Sequence, residues 1–421
     1  MSARNSEFTL IKAARMIDGN GAPLLERAGV LIEGDIIRAV GTEEAVSAPE
    51  GAHVKSYDYE DKTIMPGLVD CHVHLIGIGD GRKGDDLTQL PDEVLTLQAA
   101  ANAREHLYSG VTTVRDCGAK NRTTFMLRQA VEMGISPSPR LILAGRPMAI
   151  IGGHLSYFGI EATGEVECRA AVRQLLKEGA DFIKVTATGG STNTSFPTRA
   201  SFTLMEMQAI VDEAHKFGRH VAAHCASSDG MDVALSGGVD TIIHGYHISR
   251  DGLDEYRPDI TERIVNQGVF VNPTLHQGTE TVTVLETKIE MGGLTSEEQA
   301  YLDKFHSSHD RRIEDMARMR TDGVKFVCGS DSAWAHYKMG AFQEEMAVHV
   351  EAGMSPMEAI VSATSDSARS CWADGEVGSL EPGKLADVII VDGDPSQDIS
   401  ITKNVVDVFQ GGHLVDRGNY V

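Results

Sequence analysis

In His72-Val73-His74 two imidazoles stand two positions apart. On a β-strand that spacing sends both rings to one face while Cys71 and Val73 face the other way. Other groups suited to a cation close later apolar runs: Lys184 in Phe182-Ile183-Lys184-Val185, His224 ending 220–224, His244 ending 241–244, and Asp331 in Gly329-Ser330-Asp331. A lysine ammonium cannot sit beside a divalent ion, because like charges at contact in a poorly solvated pocket repel strongly. Condensed with carbon dioxide, the same amine becomes a carbamate, an anion whose two oxygens can bridge two metals. The company of the histidines favours that form for Lys184.

The elements needed to hold these groups are visible in the texture of the chain. Eight short apolar runs (64–75, 111–115, 140–144, 182–186, 220–224, 241–244, 269–272 and 326–331) alternate with helical stretches such as 94–109, 167–178, 205–217 and 296–320. Strands alternating with helices imply a parallel sheet, and eight units imply a closed (β/α)8 TIM barrel with its chemistry at the carboxyl ends of the strands. Residues 8–64 read instead as hairpins, with 28–32 and 36–40 flanking Gly34 and Asp35, and 385–391, 405–409 and 413–415 repeat that grammar. The expected architecture is α/β: a barrel over 65–369 and a small β-sandwich domain assembled from 1–64 and 370–421.

Composition narrows the function classes. Of 421 residues, 61 are acidic and 38 basic, a formal net charge of −23, which excludes a nucleic-acid binder held by phosphate contacts and argues against docking on an anionic membrane. With 42% apolar and 24% charged residues the chain is an ordinary globular protein. Its apolar runs fall far short of the roughly 20 residues of a membrane span. Positions 1–10 lack the basic and apolar regions of a secretory signal, leaving open a signal already removed. The six cysteines show no CxxC pairing, so free, buried thiols in a reducing cytosol are expected.

Taken together, Pro66-Gly67-Leu68-Val69-Asp70-Cys71-His72-Val73-His74, Ile183-Lys184-Val185, the histidines at 224 and 244, Gly329-Ser330-Asp331 and Pro382-Gly383-Lys384-Leu385-Ala386-Asp387 resemble the metal-dependent amidohydrolase superfamily, binuclear subtype. Thr186-Ala187-Thr188-Gly189-Gly190 and Gly152-Gly153-His154 are similar to its imidazolonepropionase-like and Xaa-Pro dipeptidase-like branch, which includes carboxypeptidase-type members and enzymes hydrolysing ochratoxin A. The resemblance implies that His72, His74 and Asp331 hold one metal, that His224 and His244 hold the second, and that N6-carboxylated Lys184 bridges them. Zinc fits such ligands, with manganese or cobalt able to substitute.

The reaction then expected is attack of a metal-bridged hydroxide on an amide carbonyl, with Asp331 as general base and then acid. The substrate would be a small N-acyl amino acid or dipeptide, and relatives commonly form even-numbered homo-oligomers. The family match points His154 at the substrate carbonyl or oxyanion. Dipeptidase-like members often carry a tyrosine two residues after the strand-five histidine, where this chain has Ala226. Asp70 either orients an imidazole or is structural, and His247 either supports a ligand or packs. His336 and Tyr337 are expected at the pocket mouth, with Arg199 a candidate for binding a substrate carboxylate. Rival readings are a cyclic-amide hydrolase of the imidazolonepropionase type, a deaminase, which usually lacks the bridging lysine, and a dead scaffold, which usually loses ligands. Gly79-Asp80-Gly81-Arg82-Lys83-Gly84 matches GxGxxG formally, but no apolar helix follows, so it reads as a loop over the pocket.

Overall fold

The structure, a computed structural model, describes residues 7–418. The N-terminal strands are β1 (Glu7–Met16), β2 (Leu25–Glu33), β3 (Ile36–Thr42), β4 (His53–Asp58) and β5 (Thr63–Pro66). After these come β6 (Leu68–Val73), β7 (Val111–Asp116), β8 (Arg140–Leu143), β9 (Met148–Ala149), β10 (Ile160–Glu161), β11 (Ile183–Thr186), β12 (Val221–Cys225), β13 (Thr241–His244) and β14 (Phe270–Asn272). The chain closes with β15 (Val388–Val391), β16 (Val405–Gln410) and β17 (His413–Leu414).

Both ends of the chain do share one sheet, in the order β17-β16-β15-β5-β1-β2-β3, with β4 also on β1. Its joint is β5, parallel to β1 and antiparallel to β15, and β5 runs through Gly67 directly into β6. A half-buried ion pair locks this sheet to the rest of the molecule. The Arg140 guanidinium on β8 donates at 2.8 and 2.9 Å to both carboxylate oxygens of Asp387, which also accepts the Gly411 N–H. That gives the closing Lys384-Leu385-Ala386-Asp387 motif a physical role.

The middle of the chain forms two parallel sheets, β6-β7-β8 and β10-β9-β11-β12-β13-β14. Their strands are buried on both faces, because alternate residues face inward and the others meet helices. Helix Gly164–Glu178, for example, buries Cys168, Ala171, Val172 and Leu175 at helical spacing, in one core cluster with Ile183 and Val185. Helix Leu204–Lys216 starts at a capping box in which Thr203 and Glu206 satisfy each other's backbone N–H groups.

The run expected as an eighth strand, 326–331, does not form a ladder. It lies extended between β14 and β6, touching them through the bridges Val271–Phe326 and Val73–Ser332. Backbone bonds to both neighbours are few, among them Val327 N–H to the Val271 carbonyl and Cys71 N–H to the Cys328 carbonyl, and side chains take other groups: Asn272 donates to the Val327 and Gly329 carbonyls, Ser367 to the Cys328 carbonyl, and Asp70 accepts the Ser330 N–H. On the other side, the Asp181 N–H donates to the Leu143 carbonyl, joining the start of β11 to β8. All six cysteines are free and buried, and among the described residues no helix is long and apolar enough to cross a membrane.

Candidate metal centre

Strand alternation delivers the candidate ligands to one place. Cys71 and Val73 enter apolar clusters while His72 and His74 turn inward. Ile183 and Val185 pack outward while Lys184 points in, and Ala223 and Cys225 flank His224 in the same way. Asp331 is brought to the histidines by its own N–H, which donates to the His72 carbonyl at 2.7 Å. Its carboxylate Oδ1 lies 3.4 Å from His72 Nε2 and 3.5 Å from His74 Nε2. The ligand atoms of these three buried residues fall within 4.8 Å of one another.

Hydrogen bonds decide which nitrogen each imidazole offers. His72 Nδ1–H donates to Asn272 Oδ1 at 3.1 Å, and the amide cannot flip because its nitrogen already serves two carbonyls. His74 Nδ1–H donates to the Gly118 carbonyl at 2.9 Å. Both rings therefore turn an Nε2 lone pair toward Asp331. His224 has the opposite arrangement: Nε2–H donates to the Gly189 carbonyl at 3.0 Å, which leaves Nδ1 as its free lone pair. Nδ1 of His244 sits 2.6 Å from Thr274 Oγ1, and its ring centroid lies 4.6 Å from that of His224 and 5.8 Å from that of His72. Lys184 Nζ is 3.5 Å from His72 Nε2.

Electrostatics favour the same use. Burial, then the Lys184 charge, lowers His74 to about 3 and pulls His72 and His244 well below the ordinary imidazole value. Burial, then His154, does the same to His224. Neutral imidazole is the form that ligates metal. Burial also lowers the Lys184 ammonium, favouring the free amine that carbon dioxide needs. Burial raises the Asp331 carboxyl to about 7, opposed by Lys184.

This donor set, neutral nitrogens with their outer N–H groups anchored and one carboxylate between them, suits a divalent cation of the zinc type. Close packing supports it: a Cβ at Gly329 would meet the His72 backbone N and Cβ at 2.8 Å, so only glycine admits the ring here. The second half of the centre is a different case. For a second ion His224 and His244 would offer two imidazoles, and Lys184 would become a third ligand only if carboxylated.

The outlying candidates separate. His154 is buried with its ring 4.5 Å from that of His224, its Nδ1 3.1 Å from Thr192 Oγ1, and burial lowers it to about 3. Gly190 leaves room for that ring, since a Cβ there would stand 2.7 Å from it. His247 is buried three residues beyond His244. Asp70 accepts the His72 backbone N–H and pairs with the His106 ring at 2.8 Å, so it braces the strand and His106 rather than a candidate ligand imidazole. His336 lies 3.1 Å from Thr281 and backs Gly81 of the 79–84 loop. Tyr337, expected at the mouth, is fully buried and donates its hydroxyl to the Ala341 carbonyl. Arg199 is exposed and has no ion pair among the described residues, next to Ala200, which bridges Thr188 beyond the Lys184 strand. The sequence reading missed Asn272, Thr274, Thr192 and Trp334, whose ring packs 5.1 Å from that of His74. Asn272 closes a recognised apolar run, which was the one available signal.

The amidohydrolase family profile matches residues 63–415. A solved structure described as a Xaa-Pro dipeptidase with bound methionine in its active site superposes with a TM-score of 0.83 at 30% identity, covering 97% of this chain and 100% of that one. Ochratoxinase from Aspergillus niger is 27% identical over 98% of this chain and 88% of its own length. Imidazolonepropionase from Pyrobaculum arsenaticum is 22% identical over 91% and 93%, respectively. The chain belongs to the amidohydrolase family, hydrolases of carbon–nitrogen bonds.

Proposed function

We propose that this chain is a binuclear metal-dependent amidohydrolase that cleaves the amide bond of an N-acyl amino acid or dipeptide, with ochratoxin A among the candidate substrates. The observation that carries the reading is the buried His72–His74–Asp331 triple, its imidazoles locked by Asn272 and Gly118, beside Lys184. In this reading residues 65–369 form one closed barrel, supported by the hydrogen bonds that join its two parallel sheets at both edges. Residues 1–64 and 370–421 form the accompanying β-sandwich domain, and the enzyme assembles as an even-numbered homo-oligomer.

His72, His74 and Asp331 would hold one cation, His224 and His244 the other, and carboxylated Lys184 both. When bound, two zinc ions supply a nucleophile from water near neutral pH and polarise the scissile carbonyl. Asp331 takes the nucleophile's proton and returns it to the leaving nitrogen, a role suited to a carboxyl that burial has already made more basic. His154, kept neutral by burial, donates a hydrogen bond to the developing oxyanion.

The test is hydrolysis by zinc-loaded protein of a panel of N-acyl amino acids, Xaa-Pro dipeptides, lactams and amino-substituted heterocycles. Release of free amino acid from the first two classes is expected. Cleavage confined to lactams would replace this reading with a cyclic-amide hydrolase of the imidazolonepropionase type, and cleavage confined to exocyclic amines with a deaminase.

A further inference from the structure

Beyond His244 lies a small cavity that the proposed chemistry does not use. Tyr246, His247, Asp254, Arg312 and Asp315 supply its polar wall, and its volume of about 20 Å³ matches one water or one carboxylate oxygen. Two N–H donors at this cavity lack an acceptor. Arg312 Nε is buried with no hydrogen-bond partner, and the guanidinium has no ion pair among the described residues. His247 accepts the Arg257 N–H at Nδ1, at 3.0 Å, so its proton sits on Nε2, which is also buried and unpartnered.

Unused donors in an acidic chain need an explanation, since most half-buried arginines elsewhere in it meet a carboxylate. The acids at the cavity do not answer Arg312. Among the described residues no ion pair joins Arg312 to Asp254 or Asp315, and the arginines acting on Asp315 are Arg311 and Arg318. The Arg312 guanidinium instead lies over Tyr246, 4.0 Å from the ring centroid, and Tyr246 packs 5.5 Å from His244. A cation is thus held one side chain away from a proposed metal ligand, with its hydrogen-bonding edge free.

In an N-acyl amino acid the carboxylate carbon stands only roughly 3–4 Å from the scissile carbonyl carbon, by three bond lengths. Its anchor must neighbour the metal ligands. We infer that Arg312, seated on Tyr246 and assisted by His247 Nε2–H, is the subsite for the substrate's α-carboxylate and sets a preference for free-acid over neutral substrates. The inference rests on the proposed reaction. Its chemistry is that of a planar guanidinium fork matched to a carboxylate, which a lysine reproduces poorly.

The experiment compares wild type, Arg312→Met, Arg312→Lys and His247→Leu on an N-acyl amino acid and on its carboxamide. Loss of one charged hydrogen-bonding partner lowers the acid-to-carboxamide ratio of kcat/KM by about 10- to 100-fold, seen mainly in KM, with partial recovery in Arg312→Lys and a smaller loss in His247→Leu. An unchanged ratio in Arg312→Met overturns the inference, as does an equal loss on both substrates, which marks a structural role. Calorimetric binding of N-benzyl-phenylalanine, which has the carboxylate but no scissile amide, against its carboxamide separates the two claims. Arg312-dependent binding of the acid without hydrolysis of any amide removes the reaction and keeps the subsite. Binding by neither form with no hydrolysis overturns both.

Discussion

Asn272 determines what His72 has to offer a cation, because its carbonyl oxygen fixes the proton on Nδ1. Replacing it with leucine removes that anchor without touching a ligand, and metal affinity is expected to fall about 10- to 100-fold in a chelator competition. Asp331→Asn separates binding from chemistry: metal content stays close to normal while kcat falls at least about 100-fold, since a proton carrier is lost. Near-normal turnover in that variant would remove Asp331 from proton transfer. The inward turn of His72, His74, Lys184 and His224 was legible in the sequence because it depends on one rule, alternation along a strand. Asn272 and Thr274 were not, because their roles depend on which strand lies beside which, and a lone polar residue at a strand end carries no such information. The burial of Tyr337 was hidden for a related reason: loop direction decides whether such a side chain faces the pocket, solvent or core.

The segment 326–332 shows what an element contributes when it is not a regular strand. Its backbone is held by the side chains of Asn272, Ser367 and Asp70, so the Gly329–Asp331 turn can place a carboxylate between two imidazoles. The apolar pattern of 326–331 announced a strand, and pattern alone does not reveal side chains that replace ladder partners. Gly329→Ala forces a methyl group against His72, and destabilisation of about 1–3 kcal/mol is expected in urea denaturation of the metal-free protein, with weakened metal binding alongside. Asp387→Asn tests the lock between the terminal sheet and β8. Leaving the Arg140 guanidinium without its carboxylate is expected to cost roughly 2–4 kcal/mol by the same measurement. That both chain ends would meet was readable from the repeated hairpin grammar, whereas the branch of β4 onto β1 was not, because parallel pairing leaves no turn to read.

Across the whole molecule, seven buried histidines have lowered pKa values, His74 and His154 to about 3 and His247 to about 4. Burial is the leading cause throughout. A group with a depressed folded-state pKa stabilises fully above its unfolded value, near 6.5, and loses that contribution as pH falls, at up to about 1.4 kcal/mol per pH unit for each group. Four carboxyls among the described residues act oppositely: buried Asp116 and Asp331, raised to about 7, and half-buried Asp315, raised to about 6, and Asp366. The histidines outnumber them, so the Tm of chelator-treated protein is expected to fall steadily from pH 6.5 to 4, measured by calorimetry. A flat profile would mean that these rings are not held neutral. The most direct test of the central claim is the metal content of purified, active protein, measured by inductively coupled plasma spectrometry. Two divalent ions per 45.3 kDa chain, reduced in Lys184→Met, is the expected result. One ion or none in protein with undiminished turnover would contradict it.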